Sequence, residues 1–174
     1  MIATDTQAPA LAFPLLDGGR FDLARSEPER FTLVLFYRGS HCPICKRQIE
    51  EDIVPHLGDF ADIGVEVVAV SMDDRERVAK QQAEWSFGDL RVGYDLDEAT
   101  ARAWGLYMSH GISEKEPARF SEPAMTLVRS DGRVFAHWQQ STPFARPKMA
   151  DLLSGIRFVV DKDYPARGTE RAAA

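Results

Sequence analysis

Two stretches of this chain are apolar or β-favouring at nearly every position: residues 31–37, FTLVLFY, and residues 65–71, VEVVAVS. Such runs fit strands covered on both faces, since a half-exposed strand alternates. Between them the period changes. Ile49, Ile53, Leu57 and Phe60 recur at helical spacing and predict an amphipathic helix from Pro43 or Ile44 to about Ala61. Pro55 should kink or split it, because proline removes a hydrogen bond and clashes with the carbonyl of Glu51. Asp73 or Asp74 can cap a further helix over 75–85, followed by a short strand at 90–94 and a brief helix at 97–104 that stops at Gly105. Residues 106–122 are polar and read as an irregular loop. Two alternating runs, 125–128 and 134–138, flank Asp131-Gly132 and predict a hairpin. Met149, Leu152, Leu153, Ile156, Val159 and Val160 then predict a closing amphipathic helix after Pro147.

Ahead of this series, residues 11–23 surround Asp17-Gly18-Gly19 and read as a separate N-terminal β-hairpin extension. The class is α/β, a central mixed sheet flanked by helices. At 174 residues, 44% hydrophobic and 28% charged, the chain is long enough for one well-filled core, so a single domain over 1–174 is expected, with 1–10 and 165–174 as loosely held termini. A net charge of −6 argues against nucleic acid or an anionic membrane as the principal partner. No Lys or Arg precedes the apolar part of the N-terminus, and Pro9 and Pro14 interrupt it, so it does not read as a signal peptide. A cytoplasmic location is the expectation, and there a close cysteine pair more often cycles than staples.

The chemistry concentrates after the first strand. The chain has two cysteines, Cys42 and Cys45, placed where a strand hands over to a helix, and a helix N-terminus favours a thiolate over a thiol. Arg38, His41, Lys46 and Arg47 surround the pair with no acid between Arg38 and Gln48. Two plainer readings compete: a packed pair of small hydrophobes, or half of a zinc site. The remaining zinc candidates are His41, His56, His110 and His137, which do not repeat at ligand spacing. A redox-active dithiol is the better reading, with Arg38 and with His41, as imidazolium, supporting the thiolate. No cofactor is called for. Arg146 and Arg167, each beside prolines in late segments, are by default solvated, with folding back toward the cysteines as the alternative.

With these residues placed, the element order is that of thioredoxin, and the chain resembles the peroxiredoxin-like branch of the thioredoxin superfamily, also called alkyl hydroperoxide reductase or thiol-specific antioxidant. The resemblance runs from APALAFPLLDG through FYRGSHCPIC and GVEVVAVSMD to YDLDEATARAWGL, the SDGRV turn and PFARP. It implies a thioredoxin-like fold and a thiol-dependent oxidoreductase whose Cys42/Cys45 pair cycles between dithiol and disulfide. A peroxide or disulfide would be the substrate, thioredoxin or glutathione the reductant, and a homodimer is possible. In that family a Pro-x-x-x-Thr-x-x-Cys motif follows the strand; aligned on Tyr37, Arg38 replaces its proline, Cys42 its threonine, and Cys45 takes the peroxide-attacking position. The family's later arginine falls near Pro123, beside Glu122. Read as a thioredoxin instead, Cys42 is the first and more exposed cysteine, Cys45 resolves, and Pro123 is the candidate cis-proline. The alternatives are a protein disulfide reductase or isomerase, and a non-catalytic redox sensor.

Overall fold

The computed structural model describes residues 2–170. Its centre is β3 (Phe31–Phe36), in which all six residues are buried. Alternation explains the double coverage: Leu33 and Leu35 point into one apolar cluster and Val34 and Phe36 into another on the opposite face. Parallel to β3 lies β4 (Val65–Val70), with β5 (Arg91–Gly93) beyond it; on the other side, antiparallel, come β8 (Ala124–Arg129) and β9 (Val134–Gln139). The sheet order is β5-β4-β3-β8-β9, a mixed sheet with its parallel half built through helical crossovers. The first cluster is capped by the helical path after β3, by α3 (Arg75–Glu84) and by α5 (Met149–Lys162), through residues such as Phe60, Val78, Leu152 and Ile156. The second is closed by α4 (Glu98–Ala103) with Trp104, and by the hairpin of β1 (Ala12–Pro14) and β2 (Arg20–Asp22), whose Phe13 and Phe21 rings stack 5.0 Å apart.

The path after β3 is broken as Pro55 requires. It runs through α1 (Pro43–Gln48), a π turn at Ile49–Ile53, a 3-10 turn at Val54–His56 and α2 (Leu57–Asp62). The widened turn, with the Val54 N–H donating to the Ile49 carbonyl, leaves room for a ring that cannot donate at position 55. Of the two aspartates after β4, Asp74 caps α3, its Oδ1 accepting the Arg77 N–H at 2.8 Å, while Asp73 is buried.

Three details differ from the sequence reading. Within 106–122 the chain forms a small hairpin, β6 (Met108–His110) paired with β7 (Arg119–Ser121), where an irregular loop is expected. Each strand is three residues long, too short to show a period in sequence. All peptide bonds among the described residues are trans, so Pro123 is not a cis-proline. The start of the chain is tied down: Asp5 and Ala8 N–H donate to the carbonyls of Val134 and Gly132, and the Val134 N–H donates to Thr6, each at 2.7–2.9 Å. At the other end, Thr4 Oγ1 donates to the Arg167 carbonyl at 2.8 Å, and residues 171–174 of the expected loose tail lie outside the described residues. No helix of the described residues is long and apolar enough to cross a membrane.

Candidate active site

The strand-to-helix junction is shaped by Gly39. Its φ of 121° lies in the left-handed region, and a Cβ there would sit 2.6 Å from the Asp73 carboxylate. Asp73 uses that close approach to accept the Ser40 N–H on Oδ2 at 2.7 Å, which pins the turn to the end of β4. The Cys42 N–H donates to the Gly39 carbonyl at 3.2 Å, and Cys42 becomes the N-cap of α1 with Pro43 in the first turn. A serine or aspartate usually serves as cap through its oxygen. Here the cap atom is sulfur: Cys42 Sγ accepts the Cys45 N–H at 3.3 Å.

Two guanidinium groups converge on this sulfur. Arg38 Nη1 lies 4.0 Å from Cys42 Sγ, and Arg146 Nη2 lies 4.0 Å from Cys42 Sγ and 3.3 Å from Cys45 Sγ. Arg146 comes from the irregular segment between β9 and α5 and is held by Gln48 of α1, whose Oε1 accepts its Nη1 at 2.6 Å. The two thiols are therefore driven apart. The Cys42 pKa is lowered to about 5, chiefly by the hydrogen bond from the Cys45 thiol, with the Cys45 N–H and the two arginines adding to it against burial. Cys45 is pushed well above the ordinary thiol range, first by burial and then by its hydrogen bond to Cys42, while Arg146 opposes the shift. Both effects favour the charge on Cys42 and the proton on Cys45.

Both sulfurs are nearly closed off: Cys42 is 1% and Cys45 0% exposed. The expected difference in exposure is absent, because the arginines that stabilise the Cys42 charge also cover it. His41 has a different place from the one its sequence position implies. Its ring packs 4.6 Å from the Phe120 ring, and both ring nitrogens are buried without a hydrogen-bond partner. Burial and then the Arg38 charge lower its pKa, so an imidazolium is disfavoured at neutral pH and His41 contributes packing where a cation was expected.

Arg38, in the place of the family's proline, does reach the site, but its charge is shared. It pairs with Glu122 at 3.5 Å and Glu116 at 3.8 Å and lies over the Phe120 ring at 4.6 Å. Glu122 is 5% exposed and is further held by the Ser109 hydroxyl, which donates to Oε1 at 2.6 Å. Arg38 is thus mainly the link between the β3–α1 turn and the β6–β7 hairpin. The cation without such competition is Arg146, a residue that sequence marks only as a loop arginine beside prolines. Arg167 stays away. Below the pair, the buried Tyr37 hydroxyl donates to Gln81 Oε1 at 3.1 Å, and burial raises its pKa above the ordinary phenol range.

An open groove of about 310 Å³ borders the site, lined by Ile44, Arg47, Gln48, Phe144, Arg146 and Lys148 among others. A larger depression, about 670 Å³, lies among the N-terminal segment, β1, β2 and the β8–β9 turn, and touches neither cysteine. The groove is lined by neither cysteine either, but it shares Gln48 and Arg146 with the site. Among the described residues no three His, Cys, Asp or Glu side chains gather as a metal site.

A thioredoxin-like sheet that presents a dithiol at the N-terminus of the helix after its central strand defines a thiol oxidoreductase class. The Redoxin family profile matches residues 3–153, and the chain belongs to that family. Two curated Mycobacterium tuberculosis proteins, both bearing a peroxiredoxin name, are 34% identical over 106 residues, which is 58% of this chain and 62% of theirs; the match therefore spans less than two thirds of either relative. Among solved structures, the peroxidoxin BcpB of the same species superposes with a TM-score of 0.72 at 18% identity, covering 91% of this chain and 99% of that one. A C45S mutant of the peroxiredoxin 6 of Arenicola marina gives 0.79 at 12% identity, covering 94% and 76%. A Chlorobium tepidum protein named for thiol:disulfide interchange, DsbE, gives 0.66 at 20%, covering 92% and 98%. These likenesses establish the fold and leave the reaction to the site.

Proposed function

We propose that this chain is a peroxiredoxin-like, thiol-dependent peroxidase in which Cys42 attacks and Cys45 resolves. The observation that carries the reading is the environment of Cys42 Sγ: a backbone N–H at 3.3 Å and two guanidinium groups at 4.0 Å, all aimed at one sulfur. In the first step the Cys42 thiolate takes the distal oxygen of a hydroperoxide with its hydrogen, the O–O bond breaks, and the alkoxide or hydroxide leaves and takes a proton from solvent. The product is a Cys42 sulfenic acid. Cys45, one helical turn along and hydrogen-bonded to Cys42, then attacks that sulfur; its thiol proton leaves, water departs, and a Cys42–Cys45 disulfide forms. A thiol reductant of the thioredoxin or glutathione kind restores both thiols by exchange.

Arg146 is assigned the work that the family gives to its later arginine. It lies against both sulfurs and supplies positive charge where the peroxide O–O bond polarises. Disulfide exchange is the second reading, favoured by one feature: Cys42 occupies the position of the family's threonine, making a Cys-Pro-Ile-Cys pair that needs no peroxide to cycle. Peroxide consumption in the presence of dithiothreitol, beside reduction of a model aromatic disulfide by the same protein, tests the two together. Repeated peroxide turnover that is lost in Cys42→Ser supports the peroxidase. Turnover of the disulfide alone would replace it with the exchange reading.

A further inference from the structure

We infer that the thiol that returns the oxidised pair to the dithiol is a small anionic peptide thiol, one that carries two carboxylates and an ammonium as glutathione does, and that it docks in the groove between α1 and the segment before α5. The inference rests on the dithiol cycle proposed above.

The groove has the size and the charges for such a molecule. Its volume of about 310 Å³ is that of a small-molecule cleft, whereas a protein reductant would dock across a broader face. Three cations line it, Arg47, Arg146 and Lys148, and among the described residues none of them takes part in an ion pair. Of the two acids in the lining, Asp52 is turned to the start of α5, where its two oxygens accept the Met149 N–H at 3.3 and 3.4 Å. Glu51 is exposed and, among the described residues, also outside any ion pair. A ligand with two carboxylates and one ammonium complements this set, its carboxylates toward Arg47 and Lys148 and its ammonium toward Glu51. Ile44 and the exposed Phe144 offer an apolar wall to its methylene groups.

Arg146 joins the groove to the chemistry. Its Nη2 lies 3.3 Å from Cys45 Sγ and 4.0 Å from Cys42 Sγ, and its Nη1 donates to the neutral Gln48 amide. In the reduced site the Cys42 thiolate is the anion beside it. Forming the disulfide consumes that anion, while Arg38 stays offset by Glu116 and Glu122, so Arg146 presents its charge to the next thiolate that arrives. That thiolate bonds to one sulfur of the disulfide, the S–S bond breaks, and the other sulfur leaves as a thiolate. A second reductant thiol then displaces the first and leaves its proton on the protein, so two reductant thiols end as their own disulfide and the protein regains one thiol and one thiolate.

The test oxidises the full chain with hydrogen peroxide, verifies the disulfide by intact mass, and follows its reduction in samples quenched by alkylation. Glutathione is compared with its diethyl ester, which has the same skeleton but a positive net charge in place of a negative one, each rate being expressed per thiolate. Glutathione should be faster by about tenfold or more at ~0.01 M salt, and the two should converge near ~1 M, where the Debye length has fallen from about 30 Å to about 3 Å. In Arg47→Glu/Lys148→Glu, which changes two exposed side chains, the low-salt ratio should drop to about one or below. Should that variant not fold, the salt dependence of wild type decides. Equal rates for the two thiols, a ratio that survives the charge reversal, or reduction by a thioredoxin where glutathione gives none overturns the inference and leaves the dithiol cycle intact. A protein that forms no disulfide overturns both, and the mass identifies that case.

Discussion

Cys42 and Cys45 are the same residue type one helical turn apart, yet their surroundings divide the proton between them. Cys42 as N-cap collects a backbone N–H, the Cys45 thiol and two arginines; Cys45 in the first turn faces the core. Because the thiolate is the nucleophile, the rate of peroxide attack should be flat from about pH 7 upward and fall tenfold per pH unit below the Cys42 pKa of about 5, as read by stopped-flow oxidation of the reduced protein. Arg146→Ala should raise that pKa and slow oxidation by roughly 100- to 1,000-fold, the range for losing one preorganised donor at a reacting centre. The absorbance of the thiolate against pH measures the first effect and the stopped-flow rate the second. At this scale the two cysteines and Arg38 were legible from spacing and local charge. Adjacency along the chain does not say which way a ring turns, and His41 turns onto Phe120, which is remote in sequence. Arg146 stands just before Pro147 in a segment with no period, so its turning inward is only the alternative to a solvated loop arginine.

At the scale of elements, the site is a junction. The end of β3, the turn at Gly39 and the first turn of α1 carry the cysteines; β6–β7 reaches them through Arg38; the segment before α5 reaches them through Arg146. The uninterrupted strands and the 3.6-residue period made β3, β4, α1–α2 and α5 readable, and Pro55 announced the break between α1 and α2. The β6–β7 hairpin was unreadable because its two strands are held by register and by the Arg38–Glu122 and Arg38–Glu116 pairs more than by alternation. Arg38→Ala should therefore act mainly on stability. It leaves Glu122 buried without its cation, at a cost of about 3 kcal/mol. Urea denaturation should show this loss, with part of it restored in Arg38→Ala/Glu122→Gln, where the leftover charge is gone. The Cys42 pKa should rise less in Arg38→Ala than in Arg146→Ala, because two carboxylates already offset the Arg38 charge.

The molecule as a whole couples this charge arrangement to its stability. The folded-state pKa of Cys42 is depressed below its unfolded value, so its contribution is fully present above the ordinary thiol pKa near 9 and is lost as pH falls toward about 5. Reduced wild type should consequently gain stability relative to Cys42→Ser as pH rises from 5 to about 8, in thermal or urea unfolding, and the oxidised protein, which has no thiolate, should lack that slope. The central claim is that Cys42 attacks peroxide and Cys45 resolves, although the family's register places the attacking cysteine at position 45. The most direct measurement is stopped-flow reaction of hydrogen peroxide with the reduced single variants Cys45→Ser and Cys42→Ser, each quenched into a sulfenic-acid trap and read by mass. The account predicts fast oxidation in Cys45→Ser with the trap on Cys42, and oxidation of Cys42→Ser slower by at least about tenfold, as a buried thiol without a depressed pKa requires. Fast oxidation of Cys42→Ser with the trap on Cys45 would contradict it.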